Sequence, residues 1–126
     1  MSGLRVVRAG DLTSQTSQTP GMTRYPGIAA GTVGSRNLWV GYVTMEPGAR
    51  SGAHHHGDCE SAIYIIRGRG RLVTDIGTAE LEPGVAVFIP MGVHHATESD
   101  GPDPLELVSV FSPPVEPGSY EAGSRT

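Results

Sequence analysis

Between Asn37 and Phe111 no apolar run exceeds five residues before a turn-forming cluster cuts it, the longest being Ala62–Ile66 and Val85–Ile89. A chain punctuated at that pitch can build short strands but not long helices. Glu46-Pro47-Gly48 stops Asn37–Met45, and Arg67-Gly68 stops Ser61–Ile66. Glu82-Pro83-Gly84 precedes Val85–Ile89, which ends at Pro90. Arg69–Asp75 and Gly77–Leu81 read as a hairpin, with His94–Glu98 and Leu105–Phe111 as two further strands. Turn signals that recur about every 8–12 residues between β-branched and aromatic runs imply an all-β sandwich or barrel.

The length, 126 residues, suits one domain. Positions 37–112 form its expected core, 1–36 an N-terminal extension and loop, and 113–126 a C-terminal tail. The stretch from Asp11 to Arg36 is rich in Ser, Thr, Gln, Gly and Pro without a period, and reads as a long loop or lid. Ser61–Ile66 is apolar on both faces, Ala62, Tyr64 and Ile66 on one and Ile63 and Ile65 on the other. A sheet with one solvated face would alternate, so a second sheet or a second subunit is expected on the other side, and a homodimer with it.

Composition excludes several function classes. All nine basic residues are Arg, so lysine Schiff-base chemistry and a P-loop lysine are out of reach. The net charge of −4, with acidic residues spread along the chain, disfavours nucleic acid as a partner. Runs of five apolar residues fall far short of the roughly 20 that span a bilayer, so no membrane segment is expected. One cysteine, Cys59, rules out an internal disulfide framework, and the start lacks the apolar core of a signal peptide, which together suggest the cytoplasm. Cys59 itself reads as a small strand-edge residue.

The five histidines fall in two groups, His54-His55-His56 and His94-His95, each beside a strand end. Alternation puts His54 and His56 on one face and sends His55 to the other. Glu60 follows four residues later, and a closed β fold could bring the second cluster alongside. The donor set would then be three imidazoles and one carboxylate, suited to Fe, Mn, Ni, Zn or Cu.

These residues resemble the two signature motifs of the cupin superfamily. Gly48, His54, His56, Glu60 and Gly68 follow the pattern G-x5-H-x-H-x3–4-E-x6-G, except that seven residues separate Glu60 from Gly68. Counting back from Gly68 puts Ser61 at the glutamate place, and a bulge near Asp58-Cys59 would reconcile the two counts. Gly84, Pro90, Gly92 and His95 follow G-x5-P-x-G-x2-H-x3-N, with Ser99 at the asparagine place. The resemblance implies a single antiparallel cupin β-barrel, a jelly roll or double-stranded β-helix. It also implies one divalent transition-metal ion on His54, His56, Glu60 and His95, or on the three histidines if Glu60 points outward.

Tyr64 and Met91 are candidate pocket residues, and Trp39 is expected in the core. The stripe Arg67, Arg69, Arg71 could bind a carboxylate substrate but reads better as a solvated hairpin face. The expected function is a metal-dependent enzyme acting on a small organic molecule, most simply a dioxygenase-like or other oxidoreductase. A redox-neutral isomerase, lyase or decarboxylase is the first alternative, and a non-catalytic small-molecule or metal-binding module the second.

Overall fold

The computed structural model describes residues 3–53 and 57–113. Eight strands run β1 (Thr23–Ile28), β2 (Trp39–Met45), β3 (Glu60–Arg67), β4 (Gly70–Thr74), β5 (Gly77–Leu81), β6 (Ala86–Ile89), β7 (His95–Ser99) and β8 (Leu105–Ser112). They form two antiparallel sheets, one ordered β1-β2-β8-β3-β6 and the other β5-β4-β7. This is the all-β architecture that the turn spacing implies. The only helical pieces among the described residues are the turns Ala9–Asp11 and α1 (Ala30–Val33).

The Asp11–Arg36 stretch is more than a loop. Thr23–Ile28 adds to the edge of the larger sheet, pairing Arg24 with Val43 and Tyr25 with Tyr42. The strand escaped the periodicity argument because it is short, carries Pro26 and Gly27, and buries only Arg24. An edge strand tolerates a proline, since its missing N–H need not face a neighbour.

The core lies between the sheets. Val43, Met45, Ile63, Ile65, Leu72, Leu81, Ile89, Leu105 and Leu107 make its main cluster. Ala29, Trp39, Cys59 and Phe111 close one end. Trp39 stacks on Phe111 at 5.1 Å between ring centroids, as its expected core role requires. A Cβ on Gly41 would meet the Trp39 ring at 2.2 Å, so the missing side chain makes room for the indole. Gly68, at φ +88°, turns β3 into β4 where a Cβ would sit 2.4 Å from the carbonyl oxygen of Pro104.

Strand β3 turns Ser61, Ile63 and Ile65 inward, and Ala62, Tyr64 and Ile66 outward. Its register against β8 slips between Ile65 and Arg67, so the irregularity sits at Ile66 rather than near Asp58-Cys59. The outward face is aromatic and aliphatic: Tyr42, Val108, Tyr64 and Ala86 lie in one row across four strands, and Val40, Val110, Ala62 and Phe88 in the next. Tyr64 is 50% exposed and Phe88 60% exposed. On that face the Tyr42 hydroxyl donates to Glu106 Oε1 at 2.6 Å.

That bond, with burial and the carboxylate charge adding to it, pushes the Tyr42 phenol up to about 12. Its folded value lies above the unfolded one of about 10, so the stabilisation is full below pH 10 and is lost as pH rises through 12. Tyr42 is only partly buried, so solvent screening holds the effect to about 1 kcal/mol. Urea midpoints should fall between pH 10 and 12 in the wild type, and Tyr42→Phe should flatten that slope.

Candidate metal centre

Strand β7 starts at His95 and is held on one side by β4 and on the other by residues 48–51. Gly48 N–H donates to Ser99 O, Ser99 N–H to Ala49 O, and Ser51 N–H to Thr97 O at 2.8 Å. Ser51 Oγ in turn accepts the Thr97 N–H at 2.8 Å, which fixes Ser51 as a buried clamp. Residues 48–51 therefore run antiparallel to β7, with Arg50 opposite Glu98.

His95 is 4% exposed, and its Nδ1 lies 3.0 Å from the carbonyl oxygen of Val93. A carbonyl can only accept, so Nδ1 carries a proton in this contact, and whenever the ring is neutral the lone pair is on Nε2. That tautomer suits a metal ligand, because a backbone carbonyl on the distal nitrogen orients the ring. The interior cavity beside His95 leaves about 20 Å³, room for a water-sized group. Ser61, Thr97 and Ser109 bring hydroxyls to its lining, and Arg24 brings a guanidinium.

Ser61 is 4% exposed, and its Oγ has no hydrogen-bond partner among the described residues. A buried hydroxyl costs about 1–3 kcal/mol unless a ligand or water completes it. An imidazole of fixed tautomer and an unsatisfied oxygen in one cavity are chemically compatible with a bound metal ion and its water.

Glu60 was expected as the carboxylate ligand. It instead stands at the outward, exposed position at the start of β3, opposite Ser112. The core position of Ile63 and Ile65 dictates this, since residues two and four before Ile65 share its face and Glu60 does not. Ser61 takes the inward place, with four residues between it and His56 and six between it and Gly68, which satisfies both motif spacings at once.

His54 and His56, with His55, lie outside the described residues. Among the described residues no three His, Cys, Asp or Glu side chains come together as a metal set. His94 points away from the cavity, its Nδ1 3.7 Å from the Asp75 carboxylate. Tyr64 and Met91, the pocket candidates, are both exposed and line no part of the cavity. Tyr64 falls on the wrong face of β3, and Met91 sits in the turn after β6.

The arginine stripe is occupied by the chain's own carboxylates: Arg67 by Asp103 and Glu106, Arg69 by Glu82, and Arg71 by Glu98 and Asp100. Those pairs are the solvated hairpin face. Cys59 is buried, its Sγ 3.0 Å from the carbonyl oxygen of Pro113. Burial, with the Glu60 charge adding, pushes its thiol up, which removes it as a nucleophile at neutral pH.

Arg24 was not anticipated. It is 2% exposed, its Nε and Nη2 donate to Thr19 Oγ1 at 3.2 and 3.1 Å, and its guanidinium lies 5.7 Å from the Trp39 ring centroid and 5.4 Å from that of Phe111. A single Arg in a Thr- and Gly-rich stretch gives little sign of burial. The one available hint was Thr23-Arg24-Tyr25 as a β-prone triplet.

The chain belongs to the cupin family, whose cupin-domain model matches residues 41–111. Among curated proteins it resembles "Polyketide synthase CurC" of Streptomyces cyaneus, 29% identical over 82 residues. That match covers 65% of this chain and 53% of the relative, so the chain spans about half of CurC's length. Among solved structures it is similar to the polyketide cyclase RemF from Streptomyces resistomycificus. That pair has a TM-score of 0.73 and 24% identity, covering 91% of this chain and 85% of the other. KdgF from Halomonas sp. superposes with a TM-score of 0.74 at 21% identity, covering 88% and 96%. At these identities the structural likenesses establish the barrel alone. No helix among the described residues is long and apolar enough to cross a membrane.

The orphaned hydroxyl makes a direct prediction. In metal-free protein Ser61→Ala should raise stability by about 1 kcal/mol in urea unfolding, because the variant removes a buried polar atom without leaving a partner behind. A loss of similar size would mean that Ser61 Oγ is satisfied.

Proposed function

We propose that this chain is a metal-dependent cupin enzyme acting on a small organic molecule, with His54, His56 and His95 as the metal ligands. The observation that supports this reading is the antiparallel bonding of residues 48–51, shortly before His54 in sequence, to β7, the strand that begins at the buried His95. Glu60 is left out of the ligand set because it lies on the outward face. Fe, Mn, Ni, Zn and Cu all accept imidazole nitrogen. An ion held there would act as a Lewis acid on a substrate oxygen.

Two chemistries use such a site. The dioxygenase-like reading needs dioxygen beside the substrate. The redox-neutral reading, an isomerase, lyase or decarboxylase, needs only polarisation and proton transfer. The likeness to proteins named polyketide synthase and polyketide cyclase favours the redox-neutral one, extended to ring closure. A purely binding role is the remaining alternative. It draws support from the cavity's small volume, and it predicts ligand binding without turnover.

Elemental analysis of the purified protein should find about one transition-metal ion per chain in the wild type and less than a tenth of that in His54→Ala and His95→Ala. Glu60→Gln should retain it. Equal metal in all four proteins, or none in the wild type, would sink the metal reading. Turnover of a cyclisable substrate that continues under argon would favour redox-neutral chemistry, and Fe(II)-dependent oxygen uptake the oxidative one.

The outward face of the larger sheet is, in the same reading, covered by a second copy of this chain. The two apolar rows through Tyr64 and Phe88 are the support for that. Sedimentation at micromolar concentration should give a dimer for the wild type and a monomer for Phe88→Glu.

A further inference from the structure

Strands β5 and β6 are the end strands of the two sheets and do not pair with each other. Between them lies a gap of about 210 Å³, lined by Leu72 and Thr74 of β4, Gly77 and Ala79 of β5, and Val87 and Ile89 of β6. The space exists because of β5. Ala79 stands opposite Leu72 and Gly77 opposite Thr74, so this strand offers one methyl group and one missing side chain where larger residues would close the sandwich. No Asp, Glu or Arg is among the described lining residues. The Thr74 hydroxyl is satisfied inside the hairpin turn, donating to Gly77 O at 2.6 Å and accepting the Ile76 N–H at 3.1 Å. Ile76, 71% exposed, also lines the gap, and an exposed aliphatic beside an apolar recess is the mark of a ligand groove.

The gap adjoins the His95 cavity, since Leu72 and Ile89 line both spaces. In the β4–β7 register Thr74 stands opposite His95 and Leu72 opposite Thr97. Residues directly opposite in an antiparallel pair share a face, with Cβ atoms about 5 Å apart. One row of residues, Gly77, Thr74 and His95, therefore runs across three strands from the gap to the imidazole.

We propose that the gap takes an uncharged ring of the substrate, with the reacting oxygen lying along this row at the His95 cavity. The inference deepens the metal reading above and rests on it only for the direction of the oxygen end. An apolar cavity of about 150 Å³ holds one benzene ring, so the gap admits a six-membered ring. The His95 cavity, at about 20 Å³, has room for a single oxygen and none for the ring. A charged group on the ring would lose its water without gaining a partner here, so the gap selects for neutral, apolar rings.

The test is carbon-13 methyl NMR of the full chain, zinc-loaded and chelator-treated, titrated with phenol, cyclohexanol and ethanol. Each carries one hydroxyl, and only the first two carry a ring. The Ala79 and Val87 methyl signals should shift with the ring alcohols, which should bind at least about ten times tighter than ethanol. Ala79→Leu, which fills the gap from β5, should weaken ring binding about tenfold or more while zinc content stays at the wild-type level. Val87→Ala, which widens the gap from β6, should raise the affinity for 2-naphthol relative to phenol.

No methyl shift, equal affinity for the three alcohols, or undiminished ring binding in Ala79→Leu would overturn the proposal. If Ala79→Leu gives no cooperative melt, Val87→Ala decides, and an unchanged ratio of 2-naphthol to phenol affinity would overturn it. A sedimentation coefficient that changes in Ala79→Leu would make a second copy of the chain the occupant of the gap, and would overturn it as well. Zinc bound without ring preference would remove this inference and leave the metal reading. Ring preference that Ala79→Leu abolishes in a protein that takes no zinc would do the reverse.

Discussion

The facing of β3 is the constraint on which the site depends. Ile63 and Ile65 are buried between the sheets, and β3 is hydrogen-bonded on both sides, to β6 and β8. A one-residue slip would send both isoleucines to the surface and bring Ala62, Tyr64 and Ile66 into a core that has no room for the ring. It would also turn Glu60 inward. Exchanging two buried aliphatic side chains, each worth about 1.5–3 kcal/mol, for a desolvated carboxylate is a difference no single metal bond to that carboxylate is positioned to reverse. The strand's facing therefore fixes Ser61 in the cavity and excludes Glu60.

From that facing the rest of the site follows in sequence. The Gly68 turn returns the chain as β4, which pairs with β7 and so delivers His95 to the inner face. The second edge of β7 is taken by residues 48–51, with Ser51 bonding Thr97 through both its N–H and its hydroxyl. Arg50 and Arg71 both reach Glu98 on the outer side of the same strand. These exposed pairs contribute little individually, but they hold the register of three segments that meet at the cavity. Precision at His95 is thus a property of backbone pairing, with the ion pairs as outer restraint.

Much of this was legible in the residues. Seven of the strands follow from the spacing of Gly and Pro, and the His-x-His and Pro-x-Gly-x2-His patterns point to two motifs that the family match then bears out. Three features were hidden, each for a physical reason. The side of β3 that faces inward could not be read from Ser61–Ile66, because both faces are apolar and alternation gives no preference. Burial of Arg24 depends on Trp39 and Phe111, which lie 15 and 87 residues away in sequence and meet it only through the β1-β2-β8 order. The exposure of Tyr64 was hidden by the same ambiguity, since either face of an apolar strand can line the interior, and that of Met91 by its place in the turn after β6.

The replacement of a carboxylate by Ser61 on the cavity face changes what such a barrel is suited to do. A carboxylate there would neutralise part of an ion's charge and occupy a hydrogen-bond acceptor's place. A serine does neither, and it leaves room and a donor in that position. On the proposed reading the ion is held less tightly and polarises a substrate oxygen more strongly, because three neutral imidazoles withdraw none of its charge.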